Sequence, residues 1–190
     1  MNNTELRRHM RKLRRSLSPT GHARRSRVLA RYATKLLYRG ASSYTCFLSA
    51  DGEVDTSLVI SRILARGKSV WLPCLGEPIL RFRQYQPGMP MRSGDFGILE
   101  PAAGPYRSAL EVDVVLTPLV AFDDQGYRLG MGGGYYDRSL ARRKRLTRYK
   151  RPRIIGLAFD AQRVASIDVQ PWDVPLDAVL TESGLHTFTR

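Results

Sequence analysis

Val112-Asp113-Val114-Val115-Leu116-Thr117-Pro118-Leu119 is the stretch that decides the fold class. It is apolar and β-branched, which suits a strand buried on both faces at the centre of a parallel sheet. Downstream lies a long loop, then the turn Gly130-Met131-Gly132-Gly133-Gly134, then a helix expected over about 135–146. Residues 153–159 and 178–181 read as further strands. Upstream, 43–48 and 69–75 read as strands, and 80–85 as a half-exposed strand of period two. Residues 86–110 are loop-rich, with Pro87, Pro90, Gly94, Gly97, Pro101, Gly104 and Pro105.

Between the first two strands, Asp51-Gly52 forms a turn. Asp55 is expected to cap a helix carrying Leu58, Val59, Ile60, Ile63 and Leu64, which Gly67 stops. The first 40 residues read as two helices. Leu6, Met10, Leu13 and Leu17 make one stripe, and Val28, Leu29, Tyr32, Leu36 and Leu37 the next. Ser18-Pro19 opens the second helix and Gly40 is its expected stop. The alternation predicts an α/β fold: a mainly parallel central sheet covered on both faces, with two N-terminal helices. No repeat or linker divides the chain, so residues 1–190 form one domain.

Composition excludes other classes. At 43% hydrophobic and 25% charged the chain is no disordered tail. With 16 Gly, 11 Pro and 2 Cys it is neither collagen-like nor a disulfide scaffold. The uncharged run at 114–122 is far shorter than the ~18 residues of a membrane span. The amino end has no apolar run of the secretory type, and Cys46 and Cys74 sit in apolar runs as buried thiols do. The expected location is cytoplasmic. His9, His22 and His186 show no zinc spacing with the cysteines.

The 31 Lys+Arg exceed the 17 Asp+Glu by 14. This points to polyanions: nucleic acid, nucleotide or a polyglutamate-like substrate. The cations cluster at 7–31 and at 142–153. The plainer reading of each cluster is a solvated helix face, and charge alone does not choose between RNA and ATP.

Four glycines at 130–134 let the backbone approach a ligand closely. The loop leaves a central strand and enters a helix, where N–H groups and the helix dipole favour phosphate. It is not a Walker A loop, and Tyr135 at the sixth position excludes G-x-G-x-x-G. Tyr135-Tyr136-Asp137 at the helix start is more than a flexible turn requires.

Gly130-Met131-Gly132-Gly133-Gly134-Tyr135-Tyr136-Asp137, preceded by Ala121-Phe122-Asp123 and Arg128-Leu129, resembles the signature of the 5-formyltetrahydrofolate cyclo-ligase family. Phe47-Leu48-Ser49, Gly52 to Thr56, Gly67-Lys68, Leu72-Pro73, Gly97 to Pro101, Gly156 to Asp160 and Trp172 to Val179 match other parts of that family in order. The resemblance implies a three-layer α/β/α sandwich. It implies ATP- and Mg²⁺-dependent closure of 5-formyltetrahydrofolate, polyglutamylated or not, to 5,10-methenyltetrahydrofolate, by phosphorylation of the formyl oxygen.

By the same resemblance, Arg7 and the run Arg128, Leu129, Gly130, Met131, Gly132, Gly133, Gly134, Tyr135 and Tyr136 bind ATP, with Arg128 and Tyr136 catalytic. Leu48, Glu53 and residues Met131 to Tyr135 bind folate, and Asp137 and Asp177 hold magnesium. Two positions depart from the pattern: Asn3 stands where the family often has Lys, and Met131 where Arg is common. A monomer with no membrane partner is expected. One alternative is a basic RNA-binding domain, for which Tyr32, Tyr38 and Tyr149 are the nearby stacking candidates. The other is a family member that binds nucleotide or folate with weak turnover.

Overall fold

The computed structural model describes residues 1–75, 78–145 and 151–189. Helix α1 (Asn3–Arg15) opens with a capping box: the Asn2 side chain accepts from the Thr4 and Glu5 amides, and Glu5 accepts from the Asn2 amide. Ser18 accepts from the Gly21 amide to cap α2 (Pro19–Tyr32), with Pro19 in its first turn. A 3-10 turn, Ala33–Leu36, ends the helical run before Gly40, which sits at φ 79° in a separate turn. Gly40 is therefore not the helix stop.

The remaining elements are β1 (Ser43–Thr45), α3 (Ser57–Leu64), β2 (Ser69–Cys74), β3 (Arg81–Tyr85), β4 (Met91–Ser93), β5 (Leu99–Pro101), β6 (Tyr106–Ser108), β7 (Val114–Thr117), β8 (Ala121–Phe122), β9 (Arg128–Leu129), α4 (Tyr135–Leu140), β10 (Arg153–Leu157), β11 (Ala178–Thr181) and β12 (Gly184–Thr187). The main sheet runs β12-β11-β10-β7-β1-β2-β3-β6. Its core, β2-β1-β7-β10-β11, is parallel. Strands β12, β3 and β6 extend the two edges antiparallel.

Strand β7 lies inside the sheet and all four of its residues are buried. Val114 and Leu116 pack into one apolar cluster with α2 and α3, and Val115 packs into a second with Leu140 of α4. Ile155 and Leu157 of β10 likewise face the first cluster and Ile154 the second. The period of two thus feeds a core on each face. The first face is covered by full helices. The second is covered by a short helix and by loops.

Several boundaries differ from expectation. The strand expected over 112–119 is shorter because Pro118 has no amide to donate. The strand expected over 43–48 leaves the ladder after Thr45, although the Cys46 amide still donates to Trp71 O at 2.9 Å. The loop-rich stretch contains the β4–β5 hairpin and edge strand β6. The α3 N-cap is Thr56, and the Asp55 carboxylate accepts from the Ser57 amide at 2.9 Å. Helix α4 stops at Leu140 and passes into a 3-10 stretch, Ala141–Arg145; its expected end, Leu146, lies outside the described residues. Among the described residues no helix is long and apolar enough to cross a membrane.

Candidate active site

Strands β8 and β9 form a small hairpin beyond the carboxyl end of β7. Its turn is made by Asp123, whose buried carboxylate accepts from the Gln125 and Tyr127 amides at 3.1 and 2.9 Å. The hairpin presents the glycine loop at the carboxyl edge of the parallel strands, where ligands of such sheets bind. Gly132 and Gly134 take φ 104° and 64°, which side chains resist. A Cβ on Gly133 would meet the Tyr135 ring at 2.9 Å.

Helix α1 closes over this loop. Arg7 Nε donates to Gly130 O at 2.8 Å. Arg7, Arg8, Arg11, Lys12, Arg15 and Met131 line one cleft of about 740 Å³. The inner face of α1 is Leu6, Met10 and Arg14, at spacing i, i+4, i+8; Leu13, expected in the apolar stripe, is exposed.

Arg128 is buried and engaged within the protein. Its Nη2 donates to Asp137 Oδ1 at 2.8 Å and its Nη1 to Val174 O, and its side chain is 4% exposed. It ties Asp137 to the segment ahead of β11. Leu129 points the other way, into a cluster with Leu6, Met10 and Val120, and offers a ligand no side chain. The β alternation explains both: adjacent residues of β9 face opposite sides.

Tyr136 and Glu53 come together, although they lie far apart in sequence. The Tyr136 hydroxyl is buried and has no hydrogen-bond partner among the described residues. Burial pushes its ionisation up, and the nearby Cys46 and Glu53 add to that. The phenol therefore keeps its proton. Burial also raises Glu53, with Arg14 opposing. Its Oε2 accepts from the Ala50 amide at 3.1 Å, and Arg14 Nη1 stands 3.8 Å from Oε1. Leu48 is partly buried against the first core cluster. Both cysteines are buried; desolvation pushes Cys46 up to about 12 and Cys74 up to about 11, so neither is a reactive thiolate.

The two carboxylates expected to share magnesium do not meet. Asp137 lies beside the glycine loop. Asp177 lies at the amino end of β11, where its Oδ2 accepts from the Ile154 amide at 2.8 Å and both oxygens accept from Arg143 Nη2 at 3.0 and 3.2 Å. The parallel strands place these two ends on opposite edges of the sheet. The backbone beside Asp137 is that of Val174, whose amide donates to Asp137 Oδ1 at 3.0 Å, while the Asp173 carboxylate before it accepts from the Gln170 amide at 2.8 Å. Sequence reading passed over Asp173, although it lies within the matched segment 172–179. Among the described residues no group of three or more His, Cys, Asp or Glu is placed to hold a metal.

Arg14 was also missed. It is buried, donates through Nε to Asp51 O at 2.9 Å, through Nη2 to Asp51 Oδ2 at 2.9 Å and through Nη1 to Leu119 O at 3.2 Å. The signal was its place on the i, i+4 row after Leu6 and Met10.

The second basic cluster is largely committed inside the molecule. Arg143 holds Asp177, Lys144 donates to Pro171 O, Arg151 pairs with Asp113, and Arg153 stacks over Tyr38. Arg148, Tyr149 and Lys150 lie outside the described residues. Tyr32 and Tyr38 pack partly buried against the core, which leaves neither ring free as a stacking platform.

Three comparisons bear on this site. A family model described as the 5-formyltetrahydrofolate cyclo-ligase family matches residues 1–182. The chain is 35% identical over 183 residues to a 5-formyltetrahydrofolate cyclo-ligase of Haemophilus influenzae, covering 93% of this chain and 95% of that protein. It is 42% identical over 150 residues to the one from Escherichia coli K12, covering 75% and 79%. The solved 5,10-methenyltetrahydrofolate synthetase of Aquifex aeolicus superposes with a TM-score of 0.80 at 29% identity, covering 100% of this chain and 94% of that one. The Mycoplasma pneumoniae synthetase shares the fold, with a TM-score of 0.76 at 22% identity.

Proposed function

Because the chain belongs to the 5-formyltetrahydrofolate cyclo-ligase family and is an enzyme of that type, we propose that it couples this ring closure to ATP and that the residues gathered around the glycine loop perform it. The formyl oxygen attacks the γ-phosphorus of ATP, and ADP leaves. The folate N10 lone pair then attacks the activated formyl carbon, the C–O bond breaks, phosphate departs and N10 gives up its proton. The product is 5,10-methenyltetrahydrofolate. A formamide oxygen is a poor leaving group, and phosphorylation removes that obstacle. The protein then has only to align the groups and neutralise charge.

Arg7 and the amides of residues 130–134 cradle the phosphates. Glu53 accepts hydrogen bonds from the pterin's N–H edge, since a carboxylate offers only acceptors. Leu48 supplies apolar contact. Tyr136, as a protonated phenol, donates a hydrogen bond into the space between Glu53 and Arg128. The observation that carries this reading is the orphaned, buried Tyr136 hydroxyl beside Glu53. Such a group costs stability, roughly 1–3 kcal/mol, unless a ligand accepts from it.

Magnesium fits Asp137 better than it fits Asp177. Both hydrogen bonds to Asp137 fall on Oδ1, so Oδ2 is available, whereas both Asp177 oxygens are taken. Magnesium takes one or two carboxylates with phosphate oxygens completing its shell, and there it would neutralise phosphate charge.

The test is appearance of the methenyl chromophore on mixing the protein with 5-formyltetrahydrofolate, ATP and Mg²⁺. Omitting any one of the three should abolish it. Turnover without ATP would refute the phosphorylation step. Nucleotide and folate binding without turnover would favour a binding protein.

A further inference from the structure

We propose that in this chain the outer stripe of α1, and not the glycine loop, supplies the cations that meet the nucleotide triphosphate, with Asp51 positioning two of them. This rests on the ATP-dependent reading above and assigns its phosphate-binding side chains.

The loop itself is short of usable charge. Met131, the one side chain of the loop in the cleft, is 53% exposed and carries no charge. Asn3 is uncharged and spent: its Nδ2 donates to Asp168 O at 2.8 Å. Arg128 is committed to Asp137 and Val174. Arg138 donates to Pro78 O and Gly133 O and stacks on Tyr135. Helix α4, at 6 residues, is too short to add much of a dipole. Yet Met131 faces the same cleft as Arg7, Arg8, Arg11, Lys12 and Arg15.

Those five cations recur at helical spacing and span roughly 12 Å along α1, a length that suits a triphosphate. Arg8 and Lys12 have no ion pair among the described residues. Arg11 Nε donates to Asp51 Oδ2 at 2.8 Å, and Arg15 pairs with Asp51 Oδ1. One carboxylate holds three guanidiniums, counting Arg14, which Glu53 also faces at 3.8 Å, so positive charge remains in excess on this row. Asp51 sits in a tight turn at φ 51°, followed by Gly52 at φ 73°. That turn fixes the carboxylate, and the carboxylate fixes two arginines whose remaining N–H groups can face a phosphate.

The probes are ATP, inorganic tripolyphosphate and an oligo-γ-glutamate, titrated against the parent and against Arg8→Gln/Lys12→Gln. The double variant removes two like charges at i, i+4 and so spares the helix. It should lose ATP affinity by about tenfold or more, as expected for lost charge-assisted contacts. Tripolyphosphate affinity should fall in parallel and its salt dependence should weaken, while 5-formyltetrahydrofolate affinity stays within about twofold. Adding Met131→Arg to the double variant should restore part of the loss, since it returns a cation to the same cleft. Asp51→Asn should raise the KM for ATP more than it lowers kcat. Unchanged ATP and tripolyphosphate binding in the double variant overturns the inference, as does a loss confined to oligo-γ-glutamate. A parent that binds neither ATP nor tripolyphosphate sinks the catalytic reading itself.

Discussion

Arg14 and Asp51 are locked together from two directions: Arg14 Nη2 donates to the Asp51 carboxylate and Nε to the Asp51 carbonyl, each at 2.9 Å. The guanidinium is 1% exposed, and desolvation lowers its hold on the proton although Glu53 and Asp51 oppose this. Burial works against the Asp51 charge, but bonds from Arg11 and Arg15 and the Arg14 charge hold its carboxyl below the usual range. This pair ties α1 to the turn that carries Glu53.

Asp51→Asn should therefore destabilise the protein at pH 7 by roughly 1–3 kcal/mol, because the buried Arg14 guanidinium loses its hydrogen-bonded carboxylate and keeps only Glu53, 3.8 Å away. The Asp51 folded pKa is depressed, so its contribution is present above the unfolded value of 3.8 and is lost as pH falls through the folded value. The gap in melting temperature between parent and variant should thus narrow as pH falls below 3.8. A gap that stays constant as the pH falls until Asp51 is protonated would show that geometry, not charge, dominates.

Glu53 is shifted the opposite way. Its folded pKa is raised, so its contribution is fully present below the unfolded value of 4.5 and is lost as pH rises through the folded value. Glu53→Gln should melt higher than the parent at pH 7 and near it at about pH 4. It should also bind 5-formyltetrahydrofolate more weakly, since the amide replaces an acceptor by a donor. A variant that gains stability and keeps full folate affinity would remove Glu53 from the folate site.

Tyr136→Phe deletes a buried hydroxyl that makes no hydrogen bond among the described residues. Thermal unfolding of the ligand-free protein should show a gain of up to about 1 kcal/mol. The kcat/KM for 5-formyltetrahydrofolate should fall at least tenfold, about the worth of one hydrogen bond in the bound state. A gain in stability at unchanged kcat/KM would make Tyr136 a packing residue.

Asp137→Asn and Asp177→Asn should part company. The first should raise the Mg²⁺ concentration needed for half-maximal turnover, and excess Mg²⁺ should partly restore the rate. The second should cost about 1–3 kcal/mol of stability, by releasing Arg143 and the Ile154 amide, without moving that Mg²⁺ requirement. An equal Mg²⁺ effect in both variants would return Asp177 to the metal site.

Gly133→Ala places a methyl 2.9 Å from the Tyr135 ring, which must swing away. The ring lies under Arg138. The variant should raise the KM for folate or ATP several-fold while melting within about 1 kcal/mol of the parent, since a ring edge yields more easily than backbone. Unchanged KM values would place Tyr135 outside the ligand's reach.

The sequence by itself determined the layered order of strands and helices, because burial on both faces of a central strand demands the unbroken apolar run at Val114–Thr117. It also determined the glycine loop, because only glycine reaches the φ of positions 132 and 134 without strain. These are local constraints, written in composition and spacing. Which partner each charge would find was not legible. Arg14 and Arg128 sit in a basic chain as if solvated, yet each is buried against a carboxylate brought in from elsewhere in the sequence. Asp177 lies a few residues from the loop's neighbours in sequence and at the far edge of the sheet in space. Parallel strands separate their two ends by the full height of the sheet, so adjacency along the chain does not say which edge a carboxylate serves. Only the tertiary structure put the Val174 amide on Asp137 and the Arg11–Arg15 row on Asp51, because long-range pairing is decided by where the sheet edges and the α1 face come to rest.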